Sequence, residues 1–476
     1  MTVPDEPDSF DVIVIGAGPA GENIVGRAVA GGLSTAIVEE HLAGGECSYY
    51  ACIPSKALLR PMELAAEVGR VPGLGPLGPV DAAAVLARRD EAIANLDDSG
   101  QVRWINGVPA TFVRGHGRLA GPRRVEVATP DGGTRTLVAR HAVAIATGSR
   151  PAVPAVPGLR EAEPWTNREA TTARHVPRRL VVIGGGVVAC EMAQAMHFLG
   201  AEETVMLVRG RRLLERVEPF AGEMVAASLR SAGIDVRFGR SAARVERPVP
   251  GGPVTVHLDD GSVVEADEIL VAAGRELGVR DIGLETVGLT PGGPLEVDDS
   301  MRVTAVPEGW LYAVGDVNGR NLLTHMGKYQ ARVCGDVIVA RAKGLPDDAP
   351  ALRATADAVG APQVVFTDPQ VCAVGRTEER ARAEGFPVRV VEYDIGAVSG
   401  AYLLGDGYTG RAKAVVDEER RVLLGVTFAG PAVGELLHAA TIAVTAEVTL
   451  DRLWHAVPSF PTVSEIWLRL LEAYGL

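Results

Sequence analysis

Phe10-Asp11-Val12-Ile13-Val14-Ile15-Gly16-Ala17-Gly18-Pro19-Ala20-Gly21 runs a short β-branched apolar stretch straight into three glycines. The apolar part reads as a buried parallel strand, and the residues from Glu22 onward as a helix. A second apolar run, Thr35 to Val38, ends at Glu39. Strand, glycines, helix and terminal acid in this order form a dinucleotide-binding fingerprint. Gly16, Gly18 and Gly21 allow a tight turn and a close backbone approach to a pyrophosphate at the helix N-terminus. Glu39 is placed to accept from a pair of ribose hydroxyls.

The pattern recurs further along. Leu180 to Ile183 leads into Gly184-Gly185-Gly186-Val187-Val188-Ala189, followed by helix-like Cys190 to Gly200 and the strand-like Thr204 to Val208. Ala189 holds the third glycine position, which the fingerprint tolerates. Where the first copy ends in Glu39, this one ends in Arg209, with Arg211 and Arg212 behind it. A carboxylate there repels a 2′-phosphate, whereas guanidinium groups grip one through paired N–H donors. The second site is therefore read as preferring NADPH to NADH.

Two nucleotide folds fit a chain of 476 residues, which has room for about three domains. With 47 Lys and Arg against 60 Asp and Glu, the formal charge is −13, and no basic block is present. That makes a nucleic-acid partner improbable. Hydrophobic content of 47% excludes a disordered chain. No apolar run reaches the roughly 18 residues of a spanning helix, so no membrane insertion is expected. Met1 to Phe10 is acidic and lacks a signal-like apolar core, and reads as a short disordered leader. Five cysteines are too few for a secretory disulfide framework, leaving the cytoplasm as the default.

Between the fingerprints lies Gly44-Gly45-Glu46-Cys47-Ser48-Tyr49-Tyr50-Ala51-Cys52-Ile53-Pro54-Ser55-Lys56. A close cysteine pair in such a protein is redox-active or metal-binding. No second Cys or His pair lies at ligand spacing, so no metal site is assigned. Cys52 stands near a helix start, where the macrodipole and Lys56 favour a thiolate. Cys190, Cys334 and Cys372 lack such a setting and read as buried small hydrophobes.

This order of motifs resembles the class I flavoprotein disulfide reductases, the family of glutathione reductase, dihydrolipoamide dehydrogenase and mercuric reductase. Ala146-Thr147-Gly148-Ser149 is similar to the segment closing the first half of its FAD domain, and Ala313-Val314-Gly315-Asp316 to its second FAD motif. Phe366-Thr367-Asp368-Pro369 resembles the opening of its dimerisation domain. The resemblance implies an α/β protein with two Rossmann-like dinucleotide-binding domains, for FAD and NADPH, and a C-terminal α+β dimerisation domain. It implies FAD-binding residues 1–157, an NADPH domain over 158–275, a return to the FAD domain over 276–345, and dimerisation through 346–476. FAD would be held by Gly16, Gly18, Gly21, Glu39, Gly45, Thr147, Gly148, Gly315 and Asp316. NADPH would be held by Gly184, Gly186, Ala189, Arg209, Arg211 and Gly274. Electrons would pass to a Cys47–Cys52 disulfide, entering at Cys52, with Cys47 as the interchange thiol. Lys56 would sit beside the flavin, paired with Glu191. A homodimer follows, because the family builds each active site from two subunits.

The match fails at one place that matters. The family closes on His-Pro-Thr-x-Ser-Glu, whereas this chain has Phe460-Pro461-Thr462-Val463-Ser464-Glu465. The family's His shuttles a proton for the interchange thiol in the partner subunit, and Glu465 would orient it. Phenylalanine has no proton to give, and such acid–base steps typically contribute about 10²–10⁴-fold. His455 is the nearest candidate substitute. Val187 replaces an aromatic that gates the nicotinamide pocket in many relatives. Tyr49 and Tyr50 either narrow the approach to Cys47, stack on a planar acceptor, or simply pack. The tail Leu468 to Leu476 lacks the cysteines that relatives of the mercuric and thioredoxin reductase types carry there.

Three readings remain at this point. The first is an NADPH oxidoreductase passing electrons to a small acceptor that need not be a disulfide: a quinone, another planar acceptor or a metal ion. The second is a reductase of an unusual disulfide whose leaving thiol needs no proton donor. The third is a non-catalytic homologue that binds nucleotide and a protein partner. The apolar helix-like stretch Ala440 to Leu450 and the tail Glu465 to Tyr474 are the interface candidates, and either equally reads as internal core.

Overall fold

The computed structural model describes residues 8–75 and 77–476, so most of the expected leader lies outside it. The first strand begins at Asp8, earlier than the apolar pattern suggests, because Asp8, Ser9 and Phe10 pair with Leu137, Val138 and Ala139. The chain divides into two compact units. One holds residues up to Ile53 together with Ile93–Arg150 and Arg275–Asp357. The other holds Pro54–Ala92, Pro151–Gly274 and Ala358–Leu476.

The first unit is built on a seven-stranded sheet. Ala110–Arg114, Thr35–Glu39, Asp8–Ile15 and Thr134–Ile145 lie side by side and parallel, with Leu311–Ala313 also paired to the last of these. Arg124–Ala128 and His116–Leu119 extend the edge as antiparallel strands. The apolar run is continuous because both faces of its strand are covered. Val12 and Val14 pack with Ile24, Val25 and Ala28 of the helix Pro19–Ala30 and with Val337 and Ile338 of the helix Thr324–Ala342. Ile13 and Ile15 point the other way, onto Val279, Ile282 and Leu284. Side-chain alternation along a strand demands two apolar faces here, not one. The two helices approach closely through small residues, Gly327 lying 3.7 Å from the Ala20 side chain when a Cβ is placed on it.

The second unit contains a four-stranded parallel sheet in the order Asp235–Phe238, Glu203–Val208, Arg179–Ile183 and Glu268–Val271. The helix Val187–Phe198 is almost wholly buried, which its nearly unbroken apolar sequence requires. An antiparallel three-stranded sheet, Ala242–Glu246, Val254–Leu258 and Val263–Ala266, packs with Val181, Leu207 and Ile269. The C-terminal part is a five-stranded antiparallel sheet in the order Pro362–Val365, Gln370–Gly375, Val422–Gly430, Arg411–Asp417 and Val388–Asp394. Helices Leu437–Thr445 and Ile466–Tyr474 cover it. The helix expected to run from Ala440 to Leu450 therefore stops early. Glu447 turns left-handed at φ 48°, and Thr449 bridges to Val422, a β-type pairing that suits Val448 and Thr449 better than a helix. Together these elements are the two Rossmann-like layers and the α+β C-terminal domain that the family resemblance implies.

Candidate active site

The first fingerprint can only be made with glycine. Gly16 sits at φ +103°, and a Cβ there would collide with the Ala146 carbonyl; a Cβ on Gly21 would collide with the Gly16 carbonyl. Gly18 caps the helix Pro19–Ala30 without any side chain over the end. Gly45 faces it at φ +62°, and a Cβ on Gly45 would come within 2.9 Å of the Gly18 Cα. Removing side chains from both walls leaves a hollow over the helix N-terminus, where free N–H groups and the positive end of the dipole meet. That hollow fits the pyrophosphate of FAD.

The rest of the first unit supplies the edges of that cradle. Glu39 accepts from the Ala17 and His41 N–H groups at 2.8 Å each, which fixes the carboxylate at the strand end. Ser149 donates its hydroxyl to Asp316 and is itself gripped by Arg275, at 2.5 Å on the hydroxyl and 2.7 Å on the carbonyl. Arg275 also lies 3.9 Å from both Glu46 and Asp316. Thr147 donates to the Gly278 carbonyl at 2.7 Å, and Gly148 turns at φ +65°.

The cysteines belong to two successive helices. Cys47 lies in the short helix Gly45–Tyr49, and Cys52 opens the nineteen-residue helix Cys52–Arg70. Both are free thiols. They hydrogen-bond to each other, and that contact together with burial pushes the Cys47 thiol above its ordinary range, against the opposing pull of Thr324 and Lys328. Cys52 Sγ is 3.3 Å from the Thr324 hydroxyl. Tyr49 is buried at 4% exposure and packs, and burial raises its hydroxyl. Cys190, Cys334 and Cys372 are all buried, with Cys372 pushed up to about 12 by burial.

Three residues here escaped the sequence reading. Thr324 and Lys328 share a face of the helix Thr324–Ala342, one turn apart. Glu22 lies in the first turn of the helix Pro19–Ala30, with one carboxylate oxygen buried and unpartnered among the described residues. Burial raises Glu22 to about 7, with Lys328 lowering it and Glu39 raising it. The only sequence signal was a charged residue within the first turn after a glycine fingerprint.

In the second unit, Gly184 turns at φ +141°, with no room for a side chain against the Ala272 carbonyl. Ala189 is fully buried, and Gly186 caps the helix Val187–Phe198 with open space before it. Arg209 and Arg211 are exposed and make no ion pair among the described residues. Arg212 donates to the Glu215 carbonyl at 2.9 Å, while its Nε is buried without an acceptor among the described residues. Gly274, at φ +143°, accepts from the Ala152 N–H at 3.0 Å. Lys56 donates to Glu191 at 2.7 Å and lies 4.7 Å over the Phe366 ring. Glu191, only 3% exposed, accepts the Phe366 N–H at 2.9 Å through its other oxygen. The lysine is thus pinned by a carboxylate and an aromatic face.

At the C-terminus, Phe460 projects at 73% exposure on the single chain. Glu465 is buried; one oxygen pairs with Arg469, and Oε2 has no partner among the described residues. His455 is exposed. No helix among the described residues is long and apolar enough to cross a membrane.

Comparison with known proteins covers most of the chain. Residues 10–344 match the pyridine nucleotide-disulphide oxidoreductase family, and residues 361–470 match its dimerisation domain. The chain is 30% identical to a dihydrolipoyl dehydrogenase of Chlamydia muridarum over 467 residues, covering 97% of this chain and 96% of that protein. It is 35% identical to a mercuric reductase of Shigella flexneri over 454 residues, covering 94% of this chain and 77% of that protein. Its fold is also that of the HOCl-induced flavoprotein disulfide reductase RclA from Escherichia coli, solved as a Cu(II) complex, with TM-score 0.83, 22% identity and coverage of 98% and 99%. FAD and a pyridine nucleotide are the cofactors the family implies, and its dimerisation domain supports a homodimer. The chain is an enzyme, a flavin-dependent member of the pyridine nucleotide-disulphide oxidoreductase family.

Proposed function

We propose that this enzyme takes electrons from NADPH and delivers them to a small acceptor that need not be a disulfide, such as a quinone, another planar acceptor or a metal ion. The observation that carries this is the pairing of Phe460 with Glu465. A carboxylate that would orient an imidazole keeps a buried oxygen without a partner among the described residues, and Phe460 cannot accept a proton. Quinone or metal reduction has no thiolate leaving group to protonate, so it tolerates that loss.

When bound, FAD supplies two-electron exchange between the nicotinamide and an acceptor. The chain's own residues do the rest. Gly16, Gly18, Gly21 and Gly45 keep side chains out of the pyrophosphate hollow, and Glu39 and Asp316 offer carboxylates to ribose and ribityl hydroxyls. Gly184, Gly186 and Ala189 hold the second nucleotide, and Arg209 and Arg211 take its 2′-phosphate. Lys56, steadied by Glu191, presents a fixed cation. Where dithiol chemistry is used, an oxidised Cys47–Cys52 pair would accept two electrons as its S–S bond breaks, leaving Cys52 as the sulfur nearer the flavin and Cys47 as the thiol that attacks an acceptor disulfide. Domain limits at residues 157, 275 and 345, a homodimer that brings Phe460 to its partner's thiols, and a cytoplasmic setting complete the reading.

The test is anaerobic reduction by NADPH, followed by steady-state oxidation of NADPH with quinones, dyes and metal ions against dioxygen alone. Rates no faster than with dioxygen remove the proposal. The retained dithiol, its sulfurs in contact and flanked by Thr324 and Lys328, favours a second reading: an unusual disulfide with an acidic leaving thiol. Unchanged turnover in a Cys47→Ser variant removes disulfide exchange from the mechanism, and the second reading with it.

A further inference from the structure

Gln330 belongs to the helix Thr324–Ala342 and is fully buried, although nothing in the motifs marks it. Its Oε1 accepts from the Gly315 N–H at 2.9 Å and from the Asn318 amide at 2.8 Å. Its Nε2 donates to both carboxylate oxygens of Asp357, at 3.0 and 3.1 Å. The partners on each side fix which end of the amide is which, since N–H groups face the oxygen and a carboxylate faces the nitrogen. The Asp357 side chain is 4% exposed and is compensated by Arg320 at 3.3 Å and by the Asn321 amide at 3.3 Å. Asn318 closes the circuit, donating to the Ala313 carbonyl at 3.2 Å and accepting from the Arg320 N–H at 3.1 Å.

Every buried polar group in this chain of contacts has a partner, and its inner end is the amide of Gly315. That residue turns at φ +79° and immediately precedes Asp316. On the far side the Asp316 side chain is held by the Ser149 hydroxyl and the nearby Arg275. We propose that Gln330, held by Asp357, is a positioning residue for the Gly315–Asp316 turn and sets how tightly the flavin is retained. The inference rests on the flavin site, not on the identity of the acceptor, and its test involves no acceptor. A closed buried network is rigid when complete and costly when one member is mismatched, so a distant carboxylate controls where the Asp316 side chain points.

The experiment uses purified holoenzyme and reads FAD release by the fluorescence of freed flavin, alongside the thermal midpoint. Gln330→Glu sets two carboxylates face to face, and flavin release is expected to become about tenfold faster or more. Asp357→Asn keeps the shape and is expected to speed release only about threefold. In the double variant the introduced amide donates to the introduced carboxylate, which still accepts from Gly315 and Asn318. Release should then return to within about threefold of the parent. Parent-like release in Gln330→Glu overturns the inference. So does a double variant that loses flavin as fast as Gln330→Glu, and so do lowered thermal midpoints with unchanged release. Should Gln330→Glu fail to fold, Asp357→Asn decides: parent-like retention of flavin overturns the inference.

Discussion

The helices Pro19–Ala30 and Val187–Phe198 start alike: a glycine cap with no side chain over it, a preceding glycine at positive φ pressed against a neighbouring strand's carbonyl, and a parallel strand on either side. They differ in charge. The first carries Glu22 in its opening turn and Glu39 at the next strand end, whereas the second has no acid in its opening turn and meets Arg209. Backbone geometry keeps side chains away from both helix starts. In the function proposed here, the side chains at two positions would set which nucleotide each takes, without any movement of the main chain.

The backbone half of that comparison is broken most severely by Gly21→Val. A side chain has no space beside the Gly16 carbonyl, so the fingerprint turn must open, and the purified protein should carry little flavin. Full yellow colour in that variant would remove close packing as the reason for the glycine.

Glu22 sharpens the electrostatic half. Its folded value is about 7 against an ordinary 4.5, because burial disfavours the carboxylate. Between those values the folded chain keeps a proton that the unfolded chain has released. Stability therefore falls as pH rises through this window, by about 3 kcal/mol in full above pH 7. Thermal midpoints measured from pH 5 to 8 should decline in the parent and decline less in Glu22→Gln. Equal slopes would place the group elsewhere.

Arg209→Glu imposes the first site's charge on the second. It should lower kcat/KM for NADPH about 100-fold, equivalent to roughly 2.7 kcal/mol, while changing that for NADH by less than tenfold. An equal loss for both nucleotides would mean that Arg209 supports the fold and not the phosphate.

The smallest effect is expected at the exit. Phe460→His should give the unpartnered Glu465 oxygen something to hold and raise the rate with a disulfide acceptor by about tenfold, while leaving reduction by NADPH unaltered. No gain with any disulfide would argue that the pocket itself has changed.

Much of this architecture can be read from local pattern. The run from Val12 to Ile15 is apolar at every position, and only a strand covered on both faces uses such a run. Arg209 stands just past the strand end, where the sequence places it. Other features are not local. Val448 and Thr449 continue an apolar stretch yet leave the helix, because a bridge to Val422 outweighs weak helical preference. Tyr49 between the cysteines could equally have faced an acceptor, and burial alone shows that it packs.

The amino-acid order alone specified two glycine turns, a cysteine pair at a helix start, opposite charges at the two strand ends and an aromatic, Phe460, before the Pro461-Thr462 pair. Each is dictated by φ/ψ demands or by residue chemistry within a few positions. Folding in three dimensions decided that Cys52 meets Thr324, that Gln330 bridges Gly315 to Asp357, and that Glu465 keeps an oxygen unsatisfied among the described residues. Those contacts join groups far apart along the chain, and their strength comes from the removal of water, which no local pattern records.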